Sequence, residues 1–168
     1  MSRIIAAVDA LTDALGRVIA WLTFGMVAVT MIVVTLRYGF DTGAVRMQES
    51  VTYMHALVFM LGIPYALKHG AHVRVDLVHS RVGPRTQELI DLCGHILLLT
   101  PVAIYILLSS LDYVVASWRV REASAEVGGL PAVFLLKSLI PLMAGLLLLQ
   151  GWAESLRIIL NLRPRPVG

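Results

Sequence analysis

The chain has 168 residues, of which 58% are hydrophobic and 15% charged; its net charge is +3 and its mean hydropathy +0.79. Globular domains carry about 45–50% apolar and about 25% charged residues, so a soluble fold is excluded and the sequence is that of a membrane protein. The small positive balance needs no nucleic acid to explain it.

Residues 2–16 place Ile4, Val8, Leu11 and Leu15 on one helical face, with Arg3, Asp9, Thr12 and Asp13 largely elsewhere. That pattern describes an amphipathic helix lying on the membrane surface, or else a plain extension of the first span. Asp9 and Asp13 interrupt the start of the chain, and the apolar run behind them exceeds the roughly 7–15 residues of a secretion-signal core, so the segment is expected to be retained.

Residues 18–36 form the first charge-free run, 19 residues long, which spans about 28 Å as a helix and matches the hydrocarbon thickness of a bilayer. The second run is 50–67. Glu49 sits just before it, where a carboxylate either favours the helix N-terminus through the dipole or contacts a partner. A polar island follows, Lys68-His69-Gly70-Ala71-His72-Val73-Arg74-Val75-Asp76. Its histidines suggest a metal, but no cysteine accompanies them and the spacing fits no structural zinc pattern. A solvated or headgroup-facing cluster fits better.

Gly83-Pro84 predicts the start of the third helix, since proline is favoured at the first helical position. Its charge-free run is 92–111, with Pro101 as the place for a kink. The apolar pattern continues through Val114, Val115 and Trp118, so this helix should protrude by about two turns. Cys93 is the single cysteine and reads as a small packed apolar residue. Residues 112–131 return the chain, with Gly128-Gly129-Leu130-Pro131 as turn and helix start. The fourth run, 132–153, holds one charge, Lys137. About 8 Å from the nearer end, that lysine can snorkel to the interface or pair with Glu122, Glu126 or a carboxylate of another chain.

The runs have helix length, whereas strands of a membrane barrel alternate over about 10 residues, so the fold class is all-α with four transmembrane helices. One side holds Arg3, Arg17, Lys68, Arg74, Arg81, Arg85, Arg157, Arg163 and Arg165; the other holds Arg37, Arg46, Arg119 and Arg121, with Lys137 just inside. Positive charge is retained on the cytoplasmic side, which predicts cytoplasmic termini, a cytoplasmic loop 68–91, and segments 37–49 and 112–131 outside.

Chemistry is sparse. His55 and His95, read as axial haem ligands, differ in depth by roughly 18 Å. None of the four runs contains Asp or Glu, whereas proton and ion pathways depend on buried carboxylates. A nucleophile with its base, a phosphate loop and paired carboxylates are likewise missing from the pattern, so no enzyme is expected. A haem- or quinone-linked anchor and an autonomous small transporter remain the competing classes.

Glu49, the stretch His72-Val73-Arg74-Val75-Asp76, Ser117-Trp118, Glu122, Gly129-Leu130-Pro131, Lys137, Ile140-Pro141 and Leu149-Gln150-Gly151 follow one another in an ordered series. Over 47–160 this series resembles the small membrane subunit of tripartite ATP-independent periplasmic (TRAP) transporters, the DctQ family. Residues 118–150 further resemble a branch whose members are labelled mannitol or chloroaromatic compound transporters, a label that is a poor guide to substrate.

The resemblance implies a scaffold in the bacterial inner membrane, beside a large subunit that holds the substrate and sodium sites and moves as an elevator. A periplasmic binding protein delivers the solute, usually an organic acid. It implies no cofactor in this chain, with sodium held by the large subunit. On this reading Glu49, Trp118, Glu122 and Lys137 contact the large subunit or the binding protein. His72, Arg74 and Asp76 would hold the cytoplasmic turn, by local pairing or through lipid headgroups.

Overall fold

A computed structural model describes residues 2–71 and 82–162; His72, Arg74 and Asp76 lie outside the described residues. Four helices are long and apolar enough to cross a membrane. They are α1 (Ser2–Gly39), α2 (Val45–Lys68), α3 (Pro84–Val120) and α4 (Val133–Leu162). No strand occurs among the described residues. Helices are the outcome that physical chemistry demands here, because hydrocarbon offers no partner to a backbone N–H or C=O and each segment must satisfy its own.

Every helix outruns its charge-free stretch. Residues 2–16 continue α1 without a break, and at about 1.5 Å per residue the whole helix is about 57 Å long. It closes at Gly39, where Asp41 takes the left-handed conformation (φ 50°) and the Thr42 amide reaches back to the Leu36 carbonyl at 3.0 Å. α2 stops in the same manner: Gly70 is left-handed (φ 62°) and the Ala71 amide donates to Ala66 at 2.9 Å, satisfying carbonyls that the helix end would otherwise orphan.

α3 starts with Pro84 in its first turn, as Gly83-Pro84 predicts, and runs to Val120, well past 111. Shortly before Pro101, the place named for any kink, the helix widens into a π-helical turn, Gly94–Leu99. Proline has no N–H for the carbonyl four residues back and its ring crowds that oxygen, so the preceding turn opens. The Thr100 hydroxyl fills part of the gap by donating to the His95 carbonyl at 2.8 Å, and Trp152 of α4 donates to Thr100 at 3.2 Å. Cys93 corrects an expectation. It is exposed, because Pro84–Cys93 contributes no buried residue to the bundle.

α4 is the hub. It packs against α3 on one side and α2 on the other, and α1 lies on α2 while also touching α4. Many of the buried positions on α3 and α4 are small, among them Ala103, Ser110 and Ser117 of α3 and Ala144, Gly151 and Ala153 of α4. Lipid tails are as apolar as leucine, so helices gain by close backbone approach. Gly151 shows how close: a Cβ there would sit 2.7 Å from Leu99 Cδ2. Gly16 of α1 is covered by the Tyr65 ring of α2 in the same way.

Candidate functional site

Polar side chains gather at the two ends of the bundle. One end carries the α1–α2 and α3–α4 connections and is called the loop end; the other carries the start of α1 and the end of α4.

The loop end is organised by Glu49 in the first turns of α2. One carboxylate oxygen accepts the Ser124 hydroxyl; the other accepts the Leu130 amide at 2.5 Å. Both partners lie in the return segment 121–132, which is cross-linked by Ser124 N–H to Leu130 O at 3.1 Å and Val133 N–H to Glu122 O at 3.1 Å. Arg46 adds a third tie, donating to the Gly128 carbonyl at 3.0 Å. Gly128 needs its left-handed φ of 80°, a conformation that costs any residue with a Cβ. Gly129 is required for space, since a Cβ there would lie 2.7 Å from Glu49 Oε1 and 2.5 Å from Ser124 Oγ.

One step inward, Glu122 accepts the Ser117 hydroxyl at 2.7 Å and the Lys137 ammonium at 2.5 Å. Lys137 also stands 4.0 Å from the Tyr113 ring centroid, a favourable cation–π placement. The Lys137 side chain is 16% exposed and that of Glu122 36%. The ammonium of Lys137, and then the Ser117 hydroxyl, hold the Glu122 carboxyl below the usual carboxylate range. Trp118 is half-exposed, donates to Ser138 at 2.8 Å and meets the Phe134 ring edge-on at 4.7 Å.

The four residues marked at this end by the sequence, Glu49, Trp118, Glu122 and Lys137, are thus brought to one end of the bundle. Of the pairings open to Lys137, the structure realises Glu122. Each of the four has an intramolecular partner, and what they present outward is the folded surface of segment 121–132.

The opposite end holds a second cluster, centred on Gln150, whose side chain suits it to bonding between helices but whose partners spacing alone does not connect. Gln150 of α4 is fully buried; its amide oxygen accepts the Thr12 hydroxyl at 2.8 Å, and its nitrogen donates to Asp9 at 3.3 Å and Glu154 at 3.0 Å. Arg157 closes the network with Asp9 at 2.6 Å and Glu154 at 2.6 Å. Lys68 of α2 bridges to the Asp13 carboxylate at 2.6 Å and the Asp9 carbonyl at 3.0 Å, and His69 reaches Asp13 at 3.2 Å. The signal was present as spacing: positions 9, 12 and 13 share one face of α1, and 150, 154 and 157 one face of α4. In the structure that polar face of α1 turns inward, while Ile4 and Leu11 are exposed. Among the described residues, no three His, Cys, Asp or Glu side chains converge on a common metal position.

Over residues 26–161, most of the chain, the sequence matches the family model of tripartite ATP-independent periplasmic transporters, DctQ component. The chain belongs to this family. No curated protein matches it. DctQ proteins are small permease subunits that act with a large membrane subunit and a periplasmic binding protein. The DctQ match takes in the entire loop-end cluster together with Lys68, Gln150, Glu154 and Arg157, whereas Asp9, Thr12 and Asp13 precede it.

Proposed function

We propose that this chain is a non-catalytic scaffold for the large elevator-type subunit of a TRAP transporter, supporting sodium-coupled, binding-protein-dependent uptake of an organic acid across the bacterial inner membrane. The family match carries this reading. The side-chain chemistry supports it, because acidic groups of the kind a coupled pathway uses sit at the bundle ends, in ion pairs and bonded to the return segment, rather than along the spans.

With cytoplasmic termini, as the Lys and Arg bias predicts, the loop end faces the periplasm. Glu49, Trp118, Glu122 and Lys137 then act by holding segment 121–132 in a fixed shape. That shape is offered to the large subunit or to the docking binding protein. His72, Arg74 and Asp76, beyond the described residues, are proposed to hold the cytoplasmic turn or meet lipid headgroups. The chain itself is proposed to need no cofactor, with sodium bound by the large subunit.

The deciding experiment is reconstitution. Proteoliposomes holding this chain, its large subunit and the loaded binding protein should take up the organic acid down a sodium gradient, and those lacking this chain should not. Uptake by this chain alone, a haem band in its absorbance spectrum, or undiminished uptake in its absence would each overturn the reading.

A further inference from the structure

Across the four charge-poor stretches 18–36, 50–67, 92–111 and 132–153, one Asp, Glu, Lys, Arg or His side chain is exposed: His55. It lies ten residues into α2 from Val45, about 15 Å along the helix. Its ring stacks loosely on Phe59 at 5.9 Å between centroids, and it has no hydrogen bond or ion pair among the described residues. The imidazole opens onto a groove of about 440 Å³ between α1 and α2, walled by Met26, Val27, Thr30, Met31 and Thr52. Val27 and Met31 are 60% and 62% exposed. The Thr30 hydroxyl is already bonded to the Met26 carbonyl at 2.7 Å, which leaves the exposed Thr52 hydroxyl and, one turn on, the His55 imidazole as the groove's groups open to an outside partner.

The outer face of α3 makes the contrast. Leu97, Leu98, Val102 and Leu108 are all strongly exposed there, and between Leu97 and Leu108 the phenol of Tyr105, 72% exposed, is the one exposed polar group of a surface otherwise suited to acyl chains. The charges nearest this stretch are Asp91 before it and Asp112 after it. A neutral imidazole has one donor and one acceptor. Acyl chains can satisfy neither, and a polar group left unsatisfied in hydrocarbon is costly. The two flexible methionines lining the groove suit it to an uneven helical surface.

We infer that the α1/α2 groove receives a membrane helix of the large subunit, which presents a hydrogen-bonding side chain at the depth of His55. The inference rests on the scaffold reading above and adds the face and the residue through which contact is made. α3 faces lipid on the same account.

Photo-crosslinking in the co-expressed complex tests it. Benzoylphenylalanine in place of Val27 should join this chain to the large subunit, and the same probe in place of Leu97 should not. Joining from position 97 and not 27, or from position 27 to lipid or to a second copy of this chain, overturns the assignment. His55→Leu should lower recovery of the large subunit about threefold at limiting expression, the worth of one interhelical hydrogen bond in a membrane. His55→Gln should restore it; equal recovery of all three forms counts against the groove. If the native chain, inserted in the membrane, captures no large subunit at all, the scaffold reading itself fails and the inference falls with it.

Discussion

The two ends of the bundle use similar residues for different ends. At the loop end, Glu49, Arg46 and Gly129 fasten a non-helical segment to a helix. At the other end, Asp9, Gln150, Glu154 and Arg157 fasten one helix directly to another. A helix has no spare backbone donors in its interior, so its ties run from side chains, with at most a carbonyl accepting, as that of Asp9 does from Lys68. A return segment offers its own amides and carbonyls, and two of its three ties to α2 use them. The loop-end cluster therefore shapes a surface, while the other sets the mutual placement of α1, α2 and α4. The family match covers all of the first cluster and only the α2 and α4 side of the second.

Substitutions can break this division. The largest effect is expected from Arg157→Met, which strands the Asp9 and Glu154 carboxylates against each other. Loss of a buried partner costs about 3–5 kcal/mol, and with the Arg157 side chain 36% exposed a value of about 2 kcal/mol is expected. The thermal unfolding midpoint in detergent should fall, while a binding-protein docking assay on the surviving folded complex should not change. Gly129→Val comes next, at about 1–2 kcal/mol for overpacking. Here the outcome should invert, with docking lost at temperatures where the helices remain folded. If Gly129→Val leaves docking intact, segment 121–132 is not a contact surface.

Glu49→Ala and Lys137→Ala should each insert normally in the membrane yet lower complex recovery or uptake. Unchanged recovery and unchanged uptake would remove both from the contact surface. Acidification provides a subtler probe. Because the folded-state pKa of Glu122 is depressed, its contribution is present above the ordinary glutamate pKa of about 4.3 and is lost as pH falls through the lower folded value. Glu122→Gln should flatten the acid limb of the pH–stability curve, read through Trp118 fluorescence. An identical acid limb in the variant would mean that the Lys137 pair contributes nothing there. Ser138→Ala, which removes the Trp118 acceptor and the hydroxyl's own bond to the Phe134 carbonyl, should stay within about 0.5 kcal/mol.

Much of this was legible in the residues. Four runs with a single charge among them, Lys137, dictated four spanning helices, because backbone in hydrocarbon has no alternative. Gly83-Pro84 marked a helix start and Gly128-Gly129-Leu130-Pro131 a turn, since both rest on local conformational rules. Glu49, Glu122 and Lys137 stood out because charges beside an apolar run are conspicuous. The ends of the helices were less legible. Polar residues outside the hydrocarbon neither compel nor forbid a helix, so the apolar face of residues 2–16 fitted a surface helix as well as the extension of α1 back to Ser2 that the structure shows.

What the sequence determined by itself was the fold class, the spans and the family, all of which depend on local composition and ordered spacing. Only the tertiary structure decided which polar groups meet. Glu49 with Leu130 and Asp9 with Arg157 are 81 and 148 residues apart, and spacing has no reach over such distances. It decided too that Cys93 is exposed and that His55 faces outward, since a helix shows its sides only once its neighbours are in place. In a membrane, where hydrophobicity does not distinguish the packed face from the lipid face, that choice belongs to small residues and paired polar groups.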